Sequence, residues 1–184
     1  MLNNKKEIRD KMKILRKKNF ALDESAAWSA SKNFFHYLKP NYTDIGVYWP
    51  IQFELDTRPL IKVLSEKNYN IFLPAIQKNY IKFFKWQTSD PLEFNKLRFY
   101  EPQKISKAVN PELIIVPLLA FDNKGYRLGY GKGFYDKFYG KNKNILYVGF
   151  GYNFQKFPKL PSKHYDLKFD AIITDKYIIN NFEK

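Results

Sequence analysis

The amino-acid sequence predicts an α/β fold, with a largely parallel sheet covered on both faces by helices. Three observations predict it. Runs of strand length, such as Leu113-Ile114-Ile115-Val116, are apolar at consecutive rather than alternate positions, as in strands buried on both faces. Segments with helical periodicity alternate with these runs. The 184 residues suit one domain, 1–184, a size that buries roughly 70% of the surface an unfolded chain exposes.

The elements follow in order. The first helix is expected over about 4–18, where Ile8, Met12 and Leu15 fall at i, i+4 and i+7 and the remainder is strongly basic. Asp23 reads as the N-cap of a second helix that ends near Leu38, ahead of Pro40. Ile45-Gly46-Val47-Tyr48 is a short buried strand. Thr57 is placed to cap a third helix, with Pro59 in its first turn, running to about Lys67. Asn70-Ile71-Phe72-Leu73 makes a second strand, stopped by Pro74, and 81–86 a third. Residues 87–110 are polar, carry Pro91 and Pro102, and read as a long loop in which Glu101-Pro102 is a turn. Leu113-Ile114-Ile115-Val116 ends at Pro117. A short helix opens at 134–139, and strands at 145–150 and 169–174 complete the sheet.

Composition narrows the class. The chain has no cysteine, which excludes disulfides, thiolate metal sites and a cysteine nucleophile. No apolar run approaches the ~20 residues of a membrane helix. Met1-Leu2-Asn3-Asn4-Lys5-Lys6-Glu7 lacks the apolar core of a secretory signal, so a cytoplasmic protein is expected. The net charge is +14. It points either to an anionic partner or to compositional drift, since Lys, Asn, Ile, Phe and Tyr are all abundant and all have A/T-rich codons. No block of five or six consecutive basic residues concentrates it.

The segment Gly125-Tyr126-Arg127-Leu128-Gly129-Tyr130-Gly131-Lys132-Gly133-Phe134-Tyr135-Asp136 holds four of the eight glycines. Glycine lets backbone amides approach an anion without a Cβ in the way. Successive amides with Arg127 and Lys132 make a concave phosphate site; the alternative is a Gly-rich surface turn. Asp136 is an oxygen ligand suited to Mg²⁺, which usually borrows phosphate oxygens as well. The segment is neither a Walker A loop nor a dinucleotide fingerprint. Tyr126 stands where the first Walker glycine belongs, Gly133 where its Ser or Thr belongs, and Phe134 where the third glycine of the fingerprint belongs. The strand before it hands the chain over at its carboxyl end, where ligands sit in such sheets.

Other constellations read two ways on their own. Lys5 and Arg9 share a helix face and reach a phosphate, or belong to a solvated basic face. Trp49 and Glu54, after a buried strand, stack on a flat ring and accept from its N–H groups, or are packed and solvated respectively. Asp166 is a second carboxylate for Mg²⁺. His36 and His164 read as structural or peripheral.

Taken in order, these residues resemble the 5-formyltetrahydrofolate cyclo-ligase (5,10-methenyltetrahydrofolate synthetase) family nearly end to end. The motifs are the basic helix with Lys5 and Arg9, Tyr48-x-Pro50, Glu54-Leu55-Asp56-Thr57, Leu73-Pro74 and Glu101-Pro102. Val116-Pro117-x-x-Ala120-Phe121-Asp122, the glycine segment through Tyr135-Asp136, Gln155, Leu160-Pro161 and His164-x-Asp166 complete them. Phe134 departs from the tyrosine common there, and Trp49 stands where members vary. The resemblance implies a three-layer α/β domain of the sugar-phosphate isomerase and CoA-transferase type. It implies an ATP-dependent cyclo-ligase that converts 5-formyltetrahydrofolate to 5,10-methenyltetrahydrofolate, releasing ADP and phosphate through a phosphorylated formyl group. It assigns Lys5, Arg9, Arg127, Leu128, Gly129, Tyr130, Gly131, Lys132, Gly133, Phe134 and Tyr135 to ATP, with Arg127 and Lys132 catalytic. It assigns Trp49 and Glu54 to the folate, and Asp136 and Asp166 to Mg²⁺. The expected partners are ATP and a folate, polyglutamylated or not, with no nucleic acid or membrane, for a monomer. The competing readings are a basic nucleic-acid-binding domain and another ATP-dependent small-molecule ligase or kinase.

Overall fold

The structure, a computed structural model, describes residues 4–20, 24–97, 99–104 and 106–182. The helices are α1 (Lys5–Asn19), α2 (Ser25–Tyr37), α3 (Arg58–Glu66) and α4 (Phe134–Lys141). The strands are β1 (Asp44–Gly46), β2 (Asn70–Gln77), β3 (Tyr80–Lys85), β4 (Leu92–Phe94), β5 (Tyr100–Pro102), β6 (Leu113–Pro117), β7 (Ala120–Phe121), β8 (Arg127–Leu128), β9 (Leu146–Gly151), β10 (Ala171–Thr174) and β11 (Ile178–Ile179). Among the described residues no helix is long and apolar enough to cross a membrane.

The main sheet runs β11-β10-β9-β6-β1-β2-β3. Its five inner strands are parallel, and β11 and β3 are antiparallel edges. In chain order the parallel strands lie 2-1-3-4-5, so the chain winds one way from β1 to β2 and the other way from β6 to β9. Right-handed crossovers then send α3 and α4 to opposite faces. The core divides accordingly. Phe34 of α2 and Leu60 and Leu64 of α3 pack with Leu113, Ile115 and Val148, whereas Phe138 of α4 packs with Phe83, Ile114, Val116 and Tyr147. Successive β6 side chains serve alternate faces, and all four from Leu113 to Val116 are fully buried. Each contributes about 1.5–3 kcal/mol. Between β1 and β6 the winding reverses, so their carboxyl ends open a crevice.

Four local expectations need correction. Pro74 does not end β2, which continues to Gln77. Phe72 accepts from the Val47 amide and Ile71 from the Trp86 amide, so even-numbered residues of β2 turn their backbone groups toward β1. Because β1 stops at Gly46, the missing N–H of Pro74 faces no strand. Residues 87–110 are not one loop; β4 and β5 pair in a ribbon. Glu101-Pro102 is therefore strand, not turn, and Glu101 is buried. Thr57 stands at the N-cap of α3 without a side-chain cap; its Oγ1 donates to the Tyr48 carbonyl at 2.7 Å instead. Pro59 is in the first turn as expected. The expected cap Asp23 lies outside the described residues, and α2 begins after Glu24.

α1 is capped by Asn4, whose side-chain oxygen accepts from the Lys6 and Glu7 amides. Its buried stripe is Ile8, Met12 and Arg16, with Leu15 only half-buried. Ile8 and Met12 pack on Leu119, Ala120 and Leu128. That contact brings the basic helix to the carboxyl end of β6.

Candidate active site

A cavity of 480 Å³ opens in the crevice beyond β1 and β6. Four separated segments bring the candidate residues to it. α1 contributes Lys5 and Arg9, the chain after β1 contributes Trp49 and Glu54, the glycine segment contributes residues 127–136, and Tyr165-Asp166 closes one end. Every residue singled out in the sequence as a candidate ligand of ATP, folate or metal therefore faces one cavity. His36 and His164 are exposed and do not line it.

The glycine segment reaches the cavity through a hairpin. β7 pairs with β8 in the register Ala120↔Leu128 and Phe121↔Arg127. Buried Asp122 holds the turn, one oxygen accepting from the Lys124 and Tyr126 amides and the other from the Leu160 amide. Gln155 donates to the Leu118 and Leu119 carbonyls at 2.9 Å each. These bonds explain Asp122, Gln155 and Leu160 as scaffold for Arg127.

Arg127 lies across Gly129. A Cβ on that glycine would come within 2.5 Å of an Arg127 terminal nitrogen, so only glycine lets the guanidinium lie there. Arg127 reaches Asp136 Oδ1 at 3.3 Å and lies over the Tyr135 ring, 5.5 Å from its centroid. Its Nε is buried without a hydrogen-bond partner among the described residues, the condition expected of a donor meant for a ligand. Arg9 Nε donates to the Gly129 carbonyl at 2.9 Å, tying the loop to α1. Gly133, at φ 68°, precedes α4, whose amino-terminal end faces the cavity. A helix amino terminus carries partial positive charge and free N–H groups. Lys132 is exposed, with no hydrogen-bond or ion-pair partner among the described residues.

The two aspartates are each held on one oxygen. Asp136 Oδ1 accepts from Arg127 and from the Leu167 amide; Asp166 Oδ2 accepts from Lys5 Nζ at 2.6 Å and from the Lys163 amide. Asp136 Oδ2 and Asp166 Oδ1 have no partner among the described residues. An oxygen-seeking cation fits this donor set. Among the described residues no group of three or more metal-ligating side chains gathers anywhere, so further oxygens would have to come from water or a phosphate.

At the other side Glu54 is buried; its Oε2 accepts from the Ile51 amide at 3.0 Å and its Oε1 has no partner among the described residues. Burial pushes its carboxyl up to about 7, although the Arg16 charge and the Ile51 amide pull it down. The loop around it is braced by the Tyr48 hydroxyl, which donates to the Leu55 carbonyl at 2.7 Å. Trp49 packs edge-on against Trp86, 5.8 Å between centroids, and still faces the cavity. Tyr130 has its phenol pushed up to about 12 by burial first and the Glu54 charge second.

Sequence reasoning missed two groups. An apolar wall of Pro74, Ile76, Ile81, Leu97 and Phe99 completes the cavity, and its Leu97 and Phe99 come from the β4–β5 ribbon that was read as a loop. Arg16 lies buried behind Tyr130. Its one signal was its place four residues after Met12 on the apolar stripe.

The model of the 5-formyltetrahydrofolate cyclo-ligase family matches residues 1–175. A 5-formyltetrahydrofolate cyclo-ligase of Haemophilus influenzae is 30% identical over 181 residues, covering 92% of this chain and 97% of that protein. The solved structure of Aquifex aeolicus 5,10-methenyltetrahydrofolate synthetase superposes with a TM-score of 0.75 at 30% identity, covering 98% of this chain and 95% of that one. The Mycoplasma pneumoniae 5,10-methenyltetrahydrofolate synthetase shares the fold, with a TM-score of 0.71 at 21% identity over 95% of this chain and 100% of that one. The chain belongs to the 5-formyltetrahydrofolate cyclo-ligase family.

Proposed function

We propose that the protein uses ATP to close 5-formyltetrahydrofolate into 5,10-methenyltetrahydrofolate, releasing ADP and phosphate. The observation that carries this reading is the convergence of four chain segments on one cavity with cations at one side and a buried carboxylate at the other. Lys5, Arg9 and residues 127–135 bind ATP. The Arg127 guanidinium and Lys132 neutralise the phosphates, and amides at the start of α4 cradle them. Trp49 stacks on the pterin, and Glu54 accepts from its N–H groups. The apolar wall takes the aromatic ring that follows.

The formyl group of the substrate is a tertiary amide, so its oxygen is a poor leaving group. The carbonyl oxygen attacks the γ-phosphorus and the bond to ADP breaks. N10 then attacks the activated carbon, the carbon–oxygen bond breaks, phosphate departs and takes up the N10 proton. No protein nucleophile is required, and no general base acts in the first step. Transfer of this kind depends on positioning and charge neutralisation. Asp136 and Asp166 would hold Mg²⁺, which when bound supplies further neutralisation of the triphosphate. The reading extends to a cytoplasmic monomer that uses mono- or polyglutamylated substrate and binds neither nucleic acid nor membrane.

The test mixes the protein with MgATP and 5-formyltetrahydrofolate and follows the absorbance of the methenyl product. Product formation dependent on both substrates is expected. Asp136→Asn should keep its fold and lose about 10²–10³ in rate, the loss typical of one electrostatic group at a reacting centre. No product from folded wild-type protein would end the reading; near wild-type turnover in Asp136→Asn would end the metal assignment.

A further inference from the structure

Arg16 is 2% exposed and does not line the cavity, yet it bonds to Tyr130, which does. One terminal nitrogen donates to the Leu118 carbonyl at 3.4 Å and the other to the Tyr130 hydroxyl. The guanidinium also lies 5.4 Å from the centroid of the Tyr130 ring. Tyr130 stands between Gly129 and Gly131, and its hydroxyl donates to Gln52 Oε1 at 3.4 Å. Gln52 is two residues from Glu54, on which the Arg16 charge acts. α1, the glycine loop and the loop after β1 thus share one relay. Arg16 Nε and Glu54 Oε1 are both buried without a partner among the described residues. A guanidinium that served only to brace the fold would be expected to have its buried donors satisfied.

We propose that Arg16 is a positioning residue that couples the nucleotide half of the site to the folate half. It holds Tyr130 within the glycine loop and, through the Tyr130 hydroxyl, Gln52 beside Glu54. The inference rests on the functional reading above. A ligand in the glycine loop fixes Tyr130, and with it Gln52 and the surroundings of Glu54. The second ligand then meets a loop already ordered, so less freedom is lost on its binding. Linkage makes the effect reciprocal.

The test is calorimetry on the full chain with the magnesium complex of a non-hydrolysable ATP analogue, with and without saturating 5-formyltetrahydrofolate. The quantity read is the ratio of the two dissociation constants. Wild type should show a ratio of about 5 or more, the usual range of site–site coupling. Tyr130→Phe keeps the ring and removes the hydroxyl; Arg16→Lys keeps the charge and removes the planar fork. Each should bring the ratio toward one, whatever it does to either affinity alone. A merely structural Arg16 would lower the melting temperature of its variant and leave the ratio unchanged. A wild-type ratio of one, or an unchanged ratio in Tyr130→Phe or in folded Arg16→Lys, overturns the proposal. If Arg16→Lys does not fold, Tyr130→Phe alone decides. Wild type that makes methenyl product yet gives those results refutes the coupling only; wild type that makes none refutes the functional reading and the coupling with it.

Discussion

Glu54 concentrates the chemistry of the site in one residue. Its carboxyl is raised from 4.5 to about 7, chiefly by burial. The folded state therefore holds a proton that the unfolded state releases between those values, and stability falls as pH rises across that window. The stabilisation is complete below about 4.5 and lost as pH rises through about 7, on the order of 3 kcal/mol in all. Glutamine mimics the protonated form. Glu54→Gln should therefore match wild type in melting temperature below about pH 4.5 and exceed it above pH 7.5, while its KM for folate rises. An equal dependence of both melting temperatures on pH would show that Glu54 does not titrate there. Folate donors favour the ionised carboxylate, so wild-type folate affinity should also fall as pH drops below about 7. The carboxylate was legible in the sequence as a candidate ligand after a buried strand. Its burial was not, because the groups whose charges interact with it, Arg16 of α1 and Tyr130 and Tyr135 of the glycine segment, are far away in the chain. Arg16 was hidden for the opposite reason. It is one of eight basic residues in fifteen, and only tertiary contact separates the buried one from the solvated ones.

Strand and helix order was legible wherever local chemistry and the sheet demand the same thing. β6 and β9 are apolar throughout because both faces of the sheet are covered, and that pattern needs no knowledge of neighbours. Pro74 misled because a proline in a strand depends on whether a partner lies on its nitrogen side, which is a property of β1's length. The ribbon was missed because β4 is mostly solvent-facing and β5 owes its place to one carboxylate. Glu101 accepts from the Ile76 amide at 3.1 Å and from Asn95 at 2.9 Å, and pairs with Lys104. Burial pushes its carboxyl up, but these three donors outweigh it and hold it below the usual range. It thereby fastens the ribbon to the part of β2 that β1 leaves unpaired, and brings Leu97 and Phe99 over the cavity. Glu101→Ala should cost about 1–3 kcal/mol, mainly through the stranded Ile76 amide, since Lys104 can turn to water. The KM for folate should rise several-fold with kcat little changed, because the apolar wall binds and does not react. Steady-state kinetics checks this, and an unchanged KM would detach the ribbon from substrate binding.

At the scale of the whole molecule the surplus of 32 basic over 18 acidic residues has to be assigned to function or to composition. Inside the cavity much of the charge is already matched, Lys5 by Asp166 and Arg127 by Asp136. The remaining surplus is dispersed over the exterior, where salt screens it; the Debye length is about 10 Å at 0.1 M. A triphosphate held by amides and cations at contact distance is screened little. A polyglutamyl tail, leaving the cavity along the surface, would feel only the screened part. A tri-glutamyl substrate should therefore have a lower KM than the mono-glutamyl one at low salt, and the advantage should vanish as ionic strength rises well above 0.1 M, where the Debye length shrinks toward about 3 Å. The KM for MgATP should change far less over the same range. Parallel titration with a duplex oligonucleotide separates the rival reading, in which log affinity falls with log salt at a slope of about −0.9 for each phosphate contacted. A tail advantage that persists unchanged at high salt would have to come from contacts rather than from the field. No advantage at any salt would leave the exterior charge as a consequence of composition alone.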